Sequence, residues 1–211
     1  MTIIDITPSV SARMPVWPGD TPFHAKRTWA ISKQSPVNVS QLIMSTHTGA
    51  HADAPLHYHS EGAPIDQVDV SAYIGPCLVA HLTAEKHVIS ADTLARAVRR
   101  IADEIPERVL IRTYEKQPAE WDPGFVAIAP DAIHWLADKG VRLIGVDTPS
   151  LDPASSKLMD AHMAVNRRNL RILEGLLLDG VNPGCYELIA PPLKLEGLDA
   201  APVRALLRTL S

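Results

Sequence analysis

Four of the chain's nine histidines and an aspartate fall within thirteen positions, HTGAHADAPLHYH, residues 47 to 59. That run constrains the fold more than any other. Gly49 weakens a helix, and Pro55 removes a backbone donor and collides with the preceding turn, so no regular helix passes through residues 47–57. If His47, His51, Asp53, His57 and His59 are to act together, a loop must turn them inward. Immediately upstream, VNVSQLIMS (37–45) begins in strict alternation and is rich in β-branched residues. This predicts a strand leading directly into the cluster, which then sits just past a strand end.

Neutral imidazole and carboxylate are ligands that a hydrolytic Zn2+ or Mn2+ prefers, and a catalytic site takes about three protein ligands and leaves one position for water. His47, His51 and Asp53 supply such a set. A lone histidine is usually a surface or hydrogen-bonded core residue, but four with an intervening aspartate form a different pattern. His59 is set aside, because Tyr58, Ser60, Glu61 and Gly62 around it resemble the start of an exposed turn.

The rest of the chain fixes the class of molecule. With 211 residues and 46% hydrophobic composition it supports one substantial core, and residues 1–211 are read as a single domain. A formal charge of −4, with acids and bases interspersed, offers no basic stripe for nucleic acid. The N-terminal residues lack the pattern of a signal peptide, and no apolar run reaches membrane-spanning length. Cys77 and Cys185 are two isolated cysteines, read as buried thiols of a cytoplasmic protein.

Eighteen prolines and eleven glycines divide the chain into short elements. Strands are predicted over 77–82 (CLVAHL, after Gly75-Pro76), 108–112 and 141–147. One helix is expected from a Ser90 cap through Leu94, Val98 and Ile101; another opens at Pro130, carries Ile133 and Leu136, and closes at Gly140. The partial alternation of strands and helices gives an α/β fold, a mixed sheet with flanking helices on one or both faces.

HTGAHADAPLH matches the pattern H-x-G-T-H-x-D-x-P-x-H of the cyclase-like metal-dependent hydrolases. DITPSVSARMPVWPGD near the start, GVDTPSLDP (145–153), AHMAVNRRNLRILEGL (161–176) and APPLKLEGLDAAPVRALL near the end resemble one branch of them, the bacterial kynurenine formamidases (arylformamidases). Ala50 departs from the pattern's threonine, which removes a hydroxyl that could support a ligand. The resemblance implies a swivelling β/β/α fold and a homodimer or higher homo-oligomer. It also implies two Zn2+ ions per subunit, with Mn2+ or Co2+ as alternatives, hydrolysing an aryl formamide, N-formyl-L-kynurenine, to kynurenine and formate in tryptophan breakdown. On this likeness His47 and His51 bind one metal, Asp53 bridges both, His162 binds the second and Glu174 contributes to both. His57 is the acid/base residue and Trp17 contacts substrate.

The two distant ligands can be tested for reach. A continuous helix over 162–174 would separate His162 and Glu174 by about 18 Å along its axis. Metals roughly 4 Å apart, with bonds of about 2 Å, do not span that gap. The helix must therefore end between His162 and Arg168, near Asn166 and Asn169, and an extended segment must carry Glu174 inward.

For His57 the residues alone leave a third ligand or a supporting role open beside acid/base catalysis. Trp17 sits in a Pro- and Gly-flanked loop, where core packing and substrate stacking are both open. Asp152 is read as a turn residue, Asp147 stays undecided between ligand support and turn capping, and no arginine stands out as partner of a substrate carboxylate. The alternative functions are a cyclase-family hydrolase of another amide, ester or lactone, and a non-catalytic metal-binding module.

Overall fold

The protein's structure, a computed structural model, describes residues 1–85 and 87–210. In chain order its strands and helices are β1 (Ile3–Asp5), β2 (His24–Trp29), β3 (Val39–Ile43), β4 (His51–Asp53), α1 (Pro55–Tyr58), β5 (Ile74–His81), β6 (Val88–Ile89) and α2 (Ala91–Arg99). There follow β7 (Arg108–Arg112), β8 (Ala127–Ile128), α3 (Pro130–Asp138), β9 (Leu143–Val146), α4 (Asp160–Arg168), β10 (Arg171–Glu174), β11 (Gly184–Ile189), β12 (Ala200–Pro202) and β13 (Leu206–Thr209).

Nine strands form one curled mixed sheet in the order β1-β13-β11-β5-β7-β9-β10-β4-β12. Its centre, β5-β7-β9-β10, is parallel, and both wings are antiparallel. The central strands read as unbroken apolar runs because both of their faces are covered. Leu78, Val109, Ile144 and Ile172 pack under α2, α3 and α4 with Leu94, Val98, Ile133, Leu136 and Val165. Their neighbours Val79, Leu110, Leu143 and Leu173 point the other way, into a second core with Ile6, Tyr73, Leu188 and Leu207 that the curl of the sheet encloses. This is the mixed α/β architecture the sequence predicts, with helices on one face.

Local signals explain most boundaries. The Ser90 side chain accepts a hydrogen bond from the Thr93 N–H and caps α2. Pro130 stands at the first turn of α3, and Gly140, at φ 83°, turns the chain after it. β5 begins earlier than predicted, running through Gly75 and Pro76. The Arg108 guanidinium explains why glycine is there: a Cβ at Gly75 would lie 2.8 Å from Arg108 Nη1. The same guanidinium donates to the carbonyls of Ala72 and Ser71, both at 2.7 Å.

The predicted strand over 37–45 is corrected in placement. β3 pairs only with β2, in a two-stranded hairpin separate from the large sheet, and every residue of both strands is exposed. Its alternating pattern has no core of this chain beneath it.

Candidate metal centre

No helix passes through residues 47–54; Pro55 opens the single turn α1, with His57 on it. The inward turn of the ligands is nevertheless not made by a loop alone. His51 and Asp53 lie on β4, two residues apart, so the pleat puts both on one face. Ala50 and Ala52 face the opposite side and are buried in the apolar core, so a hydroxyl at position 50 would be directed away from His51 and Asp53. In the register of β4 against β10, His51 stands directly opposite Glu174, and Asp53 opposite Ile172. Cross-strand pairing thus brings residues more than a hundred positions apart onto one patch.

The helix required to end before Glu174 does so. α4 stops at Arg168, Asn169 takes the left-handed conformation (φ 53°), and β10 begins at Arg171. Asn accepts that conformation more readily than most residues, which makes it a natural helix stop. The helix lays His162 over the β4–β10 patch. Just after Glu174 the backbones nearly touch: a Cβ on Gly175 (φ 64°) would fall 2.4 Å from the Gly49 carbonyl oxygen.

The resulting arrangement is two-sided. Asp53 Oδ1 lies 3.2 Å from His47 Nδ1 and 3.3 Å from His51 Nε2, while Oδ2 lies 3.3 Å from His162 Nε2. Glu174 Oε2 is 3.5 Å from His51 Nε2, and Oε1 is 3.4 Å from His162 Nε2. Each imidazole is held from outside by an oxygen: His47 Nε2 by Asp199 Oδ2 (2.9 Å), His51 Nδ1 by the Gly49 carbonyl (2.9 Å) and His162 Nδ1 by Asp152 Oδ2 (2.6 Å). With the outer nitrogen donating, the inner nitrogen of a neutral ring carries a lone pair aimed at the centre, the tautomer that metal ligation needs.

The polar atoms at this focus test whether a cation fits. His51 Nε2, His162 Nε2 and both oxygens of Asp53 are buried and have no hydrogen-bond partner among the described residues. Native interiors leave only a few such groups unsatisfied, and here four converge on one point. His47, His51 and Asp53 offer ligand atoms within 4.8 Å of one another, as do Asp53, His57 and His162, and also His47, His57 and Asp199. This nitrogen and oxygen donor set is able to bind a metal ion.

Protonation follows the same geometry. Burial alone would lower the His51 pKa, yet the carboxylates of Asp53 and Glu174 raise it to about 10. Against the same burial, Asp152, Asp53 and Glu174 hold His162 well above its ordinary value. Burial would raise the Asp53 carboxyl, but His162, His47 and His51 hold it well below the usual range. Without a cation, protons on the imidazoles balance the buried carboxylates.

Two aspartates need reassignment. Asp152 is more than a turn residue: besides holding His162 Nδ1, it accepts the backbone N–H groups of Ala161 and His162, so one carboxylate caps α4 and aims the imidazole. Its role is hidden in sequence because its partner lies ten positions later. Asp147, at the end of β9, accepts from the Thr113 N–H and hydroxyl and the Tyr114 N–H, fixing the start of the loop after β7. Asp199 is the residue that sequence reading missed. It stands 3.5 Å from His57 Nδ1 as well as bonding His47, and Thr46 Oγ1 donates to it at 3.1 Å. Only the pairing of β12 with β4 brings it near, and no local spacing announces that.

Beside the centre lies a cavity of about 810 Å³, reached by His47, His51, His57, His162 and Glu174. Trp17 lines it, 39% exposed, with its ring edge-on to Trp121 at 5.0 Å and to Phe125 at 6.4 Å. His59, outside the cluster, is exposed, and its N–H closes the end of α1 on the Pro55 carbonyl.

The model of the Cyclase family, described as "Putative cyclase", matches residues 4–153. The chain belongs to the Cyclase family. Two similar solved structures extend the likeness beyond residue 153 to nearly the whole chain: a potential metal-dependent hydrolase with cyclase activity (33% identity, TM-score 0.82, 98% of this chain and 96% of the other), and a predicted metal-dependent hydrolase from Bacillus stearothermophilus (31%, 0.81, 98% and 97%). Isatin hydrolase A from Labrenzia aggregata shares the fold at 21% identity (TM-score 0.84, 100% and 94%).

Proposed function

We propose that this Cyclase-family chain is a metal-dependent amide hydrolase that cleaves the formyl group from N-formyl-L-kynurenine, giving L-kynurenine and formate. The observation that carries the hydrolytic reading is the convergence of buried, unpartnered nitrogen and oxygen atoms of His51, Asp53 and His162 beside a cavity large enough for a small aromatic substrate. His47, His51 and Asp53 would hold one ion and His162 the second, with Asp53 and Glu174 shared, and Zn2+ is the proposed metal. When bound, such ions supply a water acidified to a pKa near 7 and a Lewis acid for the formyl oxygen.

The chain's own groups complete the reaction. An anilide nitrogen leaves poorly unless it is protonated, so an acid is needed beside the ligands. His57 suits that role, since its ring centroid lies 4.2 Å from that of His47, and Asp199 stands beside its Nδ1, leaving Nε2 for the departing nitrogen. Trp17 and Trp121 offer aromatic edges and faces to the aniline ring, which favours aryl over aliphatic formamides.

The proposal includes a homo-oligomer, supported by the bare apolar side chains of the β2–β3 hairpin. The isatin hydrolases that share the fold motivate a second reading, hydrolysis of a cyclic aryl amide, since the same aromatic walls would accept it. Formate release from N-formyl-L-kynurenine, with and without chelator and beside an isatin control, tests both readings. Chelator-sensitive formate release is expected, and turnover of isatin alone would overturn the formamidase reading. A His57→Ala variant is expected to keep its metal and lose most turnover; unchanged turnover would remove the acid role.

A further inference from the structure

The cavity has charged walls that the hydrolytic reading leaves unused. Outside the metal centre, its acidic and basic lining residues are Arg13, Asp20, Glu120 and Asp122. Arg13, an exposed residue, is thus the single lysine or arginine lining this space among the described residues, and its guanidinium enters no ion pair with them. Its position is set by the turn it belongs to. The Arg13 N–H donates to Ser11 Oγ at 3.3 Å and the Met14 N–H to the Ser11 carbonyl at 3.0 Å. Met14 Sδ and Cε lie 3.4 Å from where a Cβ on Gly49 would stand, in the turn between His47 and His51. The backbone bearing Arg13 is therefore pinned one residue away from a side chain that covers the metal-ligand turn.

The same loop carries both other groups needed to recognise an amino-acid aryl compound. Trp17 follows Arg13 by four residues, and the Asp20 N–H closes the turn on the Trp17 carbonyl at 2.9 Å. Asp122 is occupied by the Tyr114 hydroxyl (3.1 Å) and the Gly124 N–H. Asp20 uses Oδ1 for the Thr21 N–H, which leaves Oδ2 for a ligand. A cavity with one free guanidinium, free carboxylates and an aromatic wall suits a zwitterion joined to an aryl ring.

We infer that Arg13 binds the α-carboxylate of a substrate whose far end is an amino acid, while Asp20 faces the α-ammonium. This rests on the formamidase reading for the chemistry, but the charge recognition is a separate claim. Guanidinium meets carboxylate with two parallel N–H donors, a geometry lysine does not reproduce. Arg13 is therefore a specificity residue, remote from the bond that breaks.

The test compares N-formyl-L-kynurenine with formanilide, which lacks the amino-acid end, on the zinc-loaded wild type, Arg13→Gln and Arg13→Lys. The preference for the amino-acid substrate is expected to fall about tenfold in Arg13→Gln, through KM rather than kcat, and to return in part in Arg13→Lys. A preference unchanged in Arg13→Gln would overturn the inference. A second arm follows binding of L-kynurenine and of kynuramine, its decarboxylated analogue, by tryptophan fluorescence. Weakening of L-kynurenine alone supports Arg13 even if the wild type hydrolyses neither formamide, an outcome that would sink the formamidase reading only. Equal weakening of both ligands, no weakening, or no binding of L-kynurenine by the wild type would overturn the assignment of Arg13.

Discussion

Two short antiparallel pairings in this molecule stand at opposite extremes. In β4 against β10, His51, Ala52 and Asp53 are fully buried and face Glu174, Leu173 and Ile172. In β2 against β3, Trp29 is 60% exposed and Leu42 62%. The first pairing is flanked by β9 and β12 and roofed by α4; the second has no further strand beside it among the described residues. A lone two-stranded ribbon is marginal in water. Ladder hydrogen bonds are common to both pairings, so burial comes from what lies beside and above a pair. The polar, three-residue β4 is the interior strand, and β3, with Val39, Leu42 and Ile43, is the bare one.

Changing each region in turn puts this contrast at risk. The largest effect is expected from Asp53→Ala, which removes the carboxylate shared by His47, His51 and His162. Turnover should fall by about three orders of magnitude, and the metal-free protein should lose about 3–5 kcal/mol because buried imidazolium groups lose their counter-charge. Metal analysis by mass spectrometry with urea unfolding checks both; wild-type metal content and stability would contradict the placement. Next is Gly175→Ala, whose Cβ would overlap the Gly49 carbonyl at a positive φ. A loss of about 2–5 kcal/mol is expected, with weaker metal binding as residues 47–50 shift. A silent alanine would mean that the crossing is looser than described.

The third change concerns pH. Burial, against the hydrogen bonds from Tyr114 and Thr113, raises the Asp147 pKa to about 6 from an ordinary 3.8. The folded state then holds a proton that the unfolded chain has released. Its contribution is complete below pH 4 and fades as pH rises through 6, by about 3 kcal/mol at most. The wild type should therefore lose more stability than Asp147→Asn between pH 4 and pH 7, and parallel stability curves would refute this. The smallest effect on the fold is expected from Trp29→Glu combined with Leu42→Glu in the hairpin. Subunit stability should move by well under 1 kcal/mol, while sedimentation should show a smaller assembly than the wild type. A wild type that already sediments as a single chain would break the oligomer proposal.

Much of this architecture is legible in the sequence, for reasons the two regions make plain. Central strands such as 108–112 announce themselves as apolar runs, and Ser90, Pro130 and Asn169 mark helix ends by local chemistry. His47, His51 and Asp53 are visible because they are close together in the chain. His162 and Glu174 are reachable only through the family likeness and the need to break the intervening helix. What the sequence hides depends on long-range pairing. Asp199 comes into place through β12, Asp152 reveals its purpose only when α4 folds back over it, and Arg13 acquires a role only when its loop lies across Gly49. The hairpin misleads for the converse reason: alternation reports a surface fit for burial, not the presence of anything that buries it.

The carboxylates around His51 and His162 carry one more consequence. Because Asp53, Glu174 and Asp152 raise the pKa values of His51 and His162 when no ion is present, protons on these rings offset the buried carboxylates. Filling the centre is then an exchange reaction: a divalent ion enters as acid leaves, so a weakly buffered solution of the apoprotein should drop in pH when zinc is added. Acidification should run the exchange backward and release the ion.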